Sequence, residues 1–349
     1  MKTWLFKYLF ALSGLMLFLA LGLYISGKTA MTGPPLILFF LSLSLAMRST
    51  QNLKGFSFTV LIFAAVSLSM FYPQPMVQLG EFQLKKLIVP LLQIIMFGMG
   101  TAMSFNDFYG VIKMPQGVLV GLVCQFSFMP LLGFSLATLF NFPAEIAAGV
   151  VLIGSSPSGL ASNVMAYLAK ANVALSVTLT AVATVVAPLM TPLLMKYFAG
   201  AFVPIDFLAM MLSIVKMVIL PVVFGLVFNH FFHGKAKWLD KAMPIVSMTA
   251  IALIIVIITA AGRDSLLSIG ILLIVAAIFH NLMGYLLGYW GCRLLKMKEQ
   301  DCRTIALEVG MQNGGLASGI ALEMGKVSTC LLYTSPSPRD RQKSRMPSS

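Results

Sequence analysis

The sequence predicts an all-α polytopic membrane protein, and three observations carry that prediction. Of its 349 residues 59% are hydrophobic and only 10% charged, and the mean hydropathy is +0.93. A soluble domain carries about 25% charged residues, because it must cover itself with polar groups. The chain also contains long stretches free of Asp, Glu, Lys and Arg. Its basic excess, a net charge of +13, gathers at alternate ends of those stretches.

Each stretch is a candidate helix of the length a bilayer demands, roughly 20 apolar residues. Tyr8–Gly27 follows a basic start, as the core of a signal peptide would. Its length and the lack of an A-x-A site before Met31 favour an uncleaved helix. Thr29–Met47, Gly55–Gly80, Leu87–Asn106 and Met114–Ala144 come next, then Ile146–Ala169 and Ala171–Met195. Asp206–Gly234 is interrupted only by Lys216. Ala242–Gly262 and Ser265–Cys292 follow, and Thr304–Met324 closes the series while carrying Glu308 and Glu323. The expectation is therefore about eleven crossings joined by short loops, with no soluble domain attached.

The placement of charge excludes a nucleic-acid partner. With a cytoplasmic N-terminus, the inner ends carry Lys2, Lys7, Arg48, Lys54, Lys113, Lys170, Lys235, Lys237, Lys241, Arg293, Lys296, Lys298 and Arg303. The outer ends carry only Lys28, Lys85, Lys86, Lys196 and Arg263. That asymmetry is the positive-inside bias of a plasma-membrane protein, and it accounts for the basic pI with the bilayer as the only large partner. Cys124, Cys292, Cys302 and Cys330 lack metal-ligand spacing and read as small apolar core residues. From Thr334 the chain becomes TSPSPRDRQKSRMPSS, a segment with no apolar periodicity. It reads either as a native disordered tail or, the reading favoured by its abrupt onset just after an apolar run, as read-through sequence foreign to the protein.

Two stretches break the helical pattern in the same way. Pro157–Met165 reads PSGLASNVM and Gln312–Ile320 reads QNGGLASGI, so GLAS recurs 156 positions apart. Gly154, Pro157 and Gly159 disrupt the first helix; Gly310, Gly314, Gly315 and Gly319 disrupt the second. Backbone freed at membrane depth survives only where it lines a cavity or is buried in protein. Such pairs point to a transporter site at the interface of inverted repeats; isolated, either is equally a small-residue packing motif. Glu308 decides between the two. A carboxylate inside a span faces the interior with a partner, and no Lys or Arg stands in its segment. Gln312, Asn313, Ser162 and Asn163 supply oxygens, and Ser176 and Thr180 share a helix face. One carboxylate among neutral oxygens suits Na⁺, whereas a Ca²⁺ loop repeats its carboxylates.

The runs IIMFGMG (Ile94–Gly100), AEIAAGVVLIG (Ala144–Gly154), ASNVMAYLAKANVALSVTLT (Ala161–Thr180), SIVKMVILP (Ser213–Pro221) and EVGMQNGGLA (Glu308–Ala317) resemble the bile acid:sodium symporter family. The resemblance runs from about Gly55 to Thr329. It implies two inverted five-helix repeats, with two broken helices crossing in a core domain that moves against a panel domain. The implied division is 1–54, a hydrophobic extension of about two helices; 55–200, the first repeat; 201–330, the second, without its last helix; and 331–349, the non-native tail. It further implies two Na⁺ as coupling ions and no other cofactor. The first sodium site matches Ser162, Asn163, Ser176, Thr180 and Glu308. The second matches Gln125, Glu308, Val309, Met311 and Gln312, with Val309 and Met311 offering backbone carbonyls. Asn313 matches a cargo-facing residue, and Leu160 stands where some bacterial members carry a hydroxyl near the substrate.

The function this implies is sodium-coupled symport of an organic anion, bile-acid-like or a smaller carboxylate, across a bacterial inner membrane. A proton-coupled or uncoupled carrier of the same superfamily is the alternative. The arsenite branch uses a cysteine in the first break, where Ser and Asn stand here. An intramembrane serine hydrolase would need Ser155, Ser156 or Ser158 beside His280, and it is the remotest reading.

Overall fold

The computed structural model describes residues 2–49, 53, 56–159, 161–232 and 237–324. These residues are overwhelmingly helical. Sixteen α-helices run in chain order: α1 (Lys2–Ile25), α2 (Gly33–Met47), α3 (Ser57–Phe71), α4 (Pro73–Val77), α5 (Ile88–Ala102), α6 (Phe105–Lys113), α7 (Pro115–Leu139) and α8 (Ala144–Gly154). The second half holds α9 (Ala161–Leu168), α10 (Val173–Phe198), α11 (Phe207–Ile214), α12 (Leu220–Phe232), α13 (Lys237–Ala261), α14 (Arg263–Leu294), α15 (Glu299–Gly310) and α16 (Gly314–Glu323). A two-residue hairpin, β1 (Gln78–Leu79) against β2 (Phe82–Gln83), turns through Gly80 at φ 61°.

Among the described residues eight helical segments are long and apolar enough to cross a bilayer, so the chain is a multi-pass membrane protein. The other three expected crossings differ from a plain span. Two are the broken pairs α8–α9 and α15–α16. The third, Gly55–Gly80, ends its main helix at Phe71, because Pro73 forces Tyr72 out of the α region, to φ −127°. At 1.5 Å per residue, the 15 residues of α3 rise only about 22 Å.

The helices form two groups. In one, α5 lies between α12 and α13, and α13 continues to α3. The hairpin α1–α2 attaches to the α3 edge of this layer. In the other, α7 packs against α8, α10, α14 and α15, with α9 held between α10 and α15. The seam joins α16 to α5 and α11. Its apolar core includes Leu92, Met96, Ile214, Met217, Leu152, Leu316 and Ile320, all buried.

Local chemistry fixes the joints. Ser104 and Asp107 form a capping box at the start of α6, with the Ser104 amide donating to Asp107 Oδ2 at 2.7 Å. Between α11 and α12 one π-helical turn, Val215–Ile219, precedes Pro221. Pro221 has no N–H and its ring crowds the carbonyl of Met217, so the regular ladder gives way there. Backbones of α5 and α12 touch directly, since a Cβ added to Gly100 would run into the Val222 carbonyl oxygen. Cys124, Cys292 and Cys302 are free and buried. The tail from 331 onwards, with Cys330, lies outside the described residues.

Candidate functional site

The two breaks cross and satisfy each other's backbone. Helix α8 ends at Gly154 and α15 at Gly310. Beyond them Ser158 and Gln312 pair as an isolated antiparallel bridge. The Gly159 amide donates to the Met311 carbonyl at 3.1 Å, and the Asn313 amide to the Pro157 carbonyl at 2.9 Å. Further freed carbonyls receive side-chain donors: Ser155 from Thr191 Oγ1 at 2.8 Å, Ser156 from Gln125 Nε2 at 2.8 Å, and Gly310 from Asn281 Nδ2 at 2.6 Å. Non-helical backbone thus persists at membrane depth with its polar groups paired. Asn313 restarts the second chain segment by accepting the Leu316 amide at 3.0 Å, the N-cap of α16.

Glu308, only 2% exposed, projects from the last turn of α15 into this crossing. Ser158 donates to its Oε2 at 2.5 Å, Thr180 to Oε2 at 2.9 Å, and Ser176 to Oε1 at 2.5 Å. Asn163 Oδ1 stands 2.7 Å from Ser176 Oγ and 3.2 Å from Thr180 Oγ1, and Ser162 Oγ is 3.5 Å from Thr180 Oγ1. Ser176 and Thr180 each have one proton and two acceptors within reach, so acceptor oxygens outnumber donors. Among the described residues no Lys or Arg pairs with Glu308. The same residues include no group of three His, Cys, Asp or Glu that would hold a transition metal or Ca²⁺. Such an oxygen-rich, singly charged pocket fits Na⁺.

Three residues of the second expected set, Gln125, Val309 and Gln312, converge around two amides. Gln125 Nε2 donates to Gln312 Oε1 at 2.7 Å, and Gln312 Nε2 to the Val309 carbonyl at 2.6 Å. Gln125 Oε1 is buried without a hydrogen-bond partner. An orphaned buried acceptor costs about 1–3 kcal/mol and marks a place where a cation would be welcome. The Met311 carbonyl already accepts the Gly159 amide. Both Glu308 oxygens are directed at the first set.

All five residues of the first set meet in one place, and Gln125, Val309 and Gln312 meet beside it. Leu160 lies outside the described residues. Ser158 belongs with the first set through its bond to Glu308, a role its sequence did not single out; its place in SSPSG, beside the other broken-helix oxygens, was the available signal. His280 is a further buried polar group and Asn281 a half-buried one, and His280 Nε2 stands 3.0 Å from the Met129 carbonyl. No serine hydroxyl pairs with His280 among the described hydrogen bonds: Ser156 bonds Leu152, and Ser158 bonds Glu308.

Residues 89–269 match the family model described as the sodium bile acid symporter family. An uncharacterized sodium-dependent transporter of Bacillus subtilis is 39% identical over 277 residues, 79% of this chain and 84% of that protein. A probable chloroplastic sodium/metabolite cotransporter of Arabidopsis thaliana is 36% identical over 232 residues, 66% of this chain and 58% of its own length. The ileal sodium/bile acid cotransporter of Mus musculus is 35% identical over 252 residues, 70% of this chain and 72% of its own.

Proposed function

We propose a mechanism from the premise that this chain belongs to the sodium bile acid symporter family. It is a sodium-dependent transporter and not an enzyme. In the reading we favour, it couples the entry of two Na⁺ to the uptake of one organic anion. The first ion is held by Ser162, Asn163, Ser176, Thr180 and Glu308, with Ser158 as an added oxygen. The second is held by Gln125, Val309, Met311, Gln312 and Glu308. Asn313 and Leu160 are assigned to the cargo, an amphipathic carboxylate in the bile-acid or small-metabolite range. Names of the relatives support that range, since they include bile-acid and metabolite cotransporters.

One observation carries the reading: a carboxylate buried where two broken helices cross, surrounded by neutral oxygens and, among the described residues, paired with no Lys or Arg. An ion there ties α9, α10 and α15 into one unit, so the core group moves against the layer of α3, α5, α12 and α13. Two Na⁺ with one monovalent anion carry one net charge inward. Each charge descending 100 mV contributes about 2.3 kcal/mol, enough to drive accumulation. The repeats are taken as 55–200 and 201–330, behind the extension 1–54, in a bacterial plasma membrane with the N-terminus inside.

Purified protein in liposomes tests this directly. Cholate and lactate uptake should require an inward Na⁺ gradient and collapse when K⁺ replaces Na⁺. Equal accumulation in Na⁺ and K⁺, or uptake driven by a pH gradient alone, would transfer the protein to the proton-coupled alternative.

A further inference from the structure

Val309, Gly310 and Met311 present successive carbonyls where α15 ends, and each accepts a donor. Gln312 Nε2 donates to Val309 at 2.6 Å, Asn281 Nδ2 to Gly310 at 2.6 Å, and the Gly159 amide to Met311 at 3.1 Å. Gln312 and Gly159 belong to the crossing itself. Asn281 comes from outside it, from the body of α14. It stands 156 positions after Gln125, the separation at which GLAS recurs. Gln125, on α7, donates in the same way to the freed Ser156 carbonyl of the first break. The repeat thus sets one side-chain amide, carried on a long helix, beside each break.

Gly310 is the place where such a hold is needed. Planar peptide units leave only φ and ψ free at each Cα, and glycine restricts them least. No other residue fits: a Cβ added to Gly310 would run into the Tyr285 ring, and one added to Gly284 would stand 3.0 Å from Gly310 Cα. Asn281, Gly284 and Tyr285 lie at i, i+3 and i+4, so one face of α14 is pressed on Gly310. Among the described hydrogen bonds, the one from Asn281 directs the Gly310 carbonyl. The Val309 and Met311 carbonyls belong to the adjoining peptide planes, so their directions follow from that of the middle plane.

We infer that Asn281 is a positioning residue for the second sodium site, acting through Gly310 on the carbonyls of Val309 and Met311. It holds the backbone that would hold the ion. Partners that orient metal ligands in this way typically govern affinity by about 10- to 100-fold. A cavity of about 340 Å³ adjoins Asn281 and is lined also by His280, Ile153 and Gln312, which leaves room for a longer side chain at this position. The inference rests on the transport reading above.

The test reads Na⁺ in two ways: the rise in Tm of purified protein as Na⁺ replaces K⁺ at constant ionic strength, and the Na⁺ dependence of cholate and lactate uptake in liposomes. Asn281→Leu keeps the volume and removes the N–H, whereas Asn281→Gln keeps the amide. Asn281→Leu should raise the half-effective Na⁺ concentration roughly tenfold in both measurements. Its Na⁺ curve should also flatten, from the slope of two cooperating ions toward that of one. Asn281→Gln should lie nearer the parent than Asn281→Leu does. A parent-like Na⁺ curve in Asn281→Leu, even with a lower Tm in K⁺, makes Asn281 a support of the fold alone and overturns this inference without touching the transport reading. A parent whose Tm ignores Na⁺ and which accumulates neither acid overturns the transport reading and this inference with it. If Asn281→Leu does not insert, Asn281→Ala takes the same reading; failure of both makes Asn281 a folding residue and also overturns it.

Discussion

Glu308 concentrates the chemistry of the molecule, because it is the one carboxylate placed among the oxygens of the crossing. Glu308→Gln keeps its size and hydrogen-bonding capacity while deleting the charge. The substitution should abolish Na⁺-driven uptake and, with it, any Na⁺-induced gain in anion affinity, since linkage between the two ligands is reciprocal. Retained Na⁺ dependence of anion binding would remove Glu308 from the site. Ser162→Ala and Thr180→Ala each delete one neutral oxygen. They should raise the half-saturating Na⁺ concentration roughly tenfold while expression persists, a loss of about 1–1.5 kcal/mol per contact. Parent-like Na⁺ curves in both variants would show that the first site lies elsewhere.

At the scale of elements, the breaks were legible because Gly, Pro and amides stood inside apolar runs, and Glu308 stood beside one of them. The mutual pairing of Ser158 with Gln312, and of Gly159 with Met311, was not legible, since it joins residues about 150 apart. The shortness of α3 was missed for a local reason: an apolar count ignores what Pro73 does to Tyr72. Direct contact of α5 with α12 also hides from periodicity, because it depends on Gly100 and Gly225 lacking side chains. Gly100→Ala should destabilise by about 1–3 kcal/mol, read as a lower Tm in detergent. Gly22→Ala, where nothing lies within 4 Å, is the control and should melt like the parent. At the α14–α15 turn, the Tyr289 hydroxyl and then Arg303 hold the Glu299 carboxyl below its ordinary 4.5. A depressed carboxylate stabilises the fold above the unfolded value and loses that contribution as pH falls through the folded one. The Tm difference between parent and Glu299→Gln should therefore be full at pH 7 and shrink below about pH 4.5. A difference that stays constant to pH 3 would mean that packing, not charge, is what Glu299 provides.

The whole molecule is two helix groups meeting along one seam, and its proposed cycle requires the groups to slide there while each stays rigid. The structure distinguishes contacts within a group from contacts across the seam. Gly100 and Gly225 bring α5 and α12 together inside one layer, where a Cβ added to Gly225 would run into the Phe97 carbonyl oxygen. Leu92 reaches across the seam to Gly319 on α16. Interfaces of packed side chains hold discrete arrangements and do not deform smoothly. A covalent tie across the seam should therefore stop transport outright, whereas a tie within a layer should leave it running. The variant carrying Leu92→Cys and Gly319→Cys, in a background whose native cysteines are replaced by alanine, provides the first tie through a short thiol cross-linker. Gly98→Cys with Ser247→Cys, where a Cβ added to Gly98 of α5 would stand 3.1 Å from Ser247 Oγ of α13, provides the second. Cross-linking the first pair should reduce Na⁺-driven uptake to background and reductive cleavage should restore it, while Na⁺ binding at the crossing, read as a rise in Tm, persists throughout. Cross-linking the second pair should preserve uptake. Full uptake with the seam tied would mean that the groups do not move against each other there, and the motion would have to be sought inside the α7, α8, α10, α14 and α15 bundle.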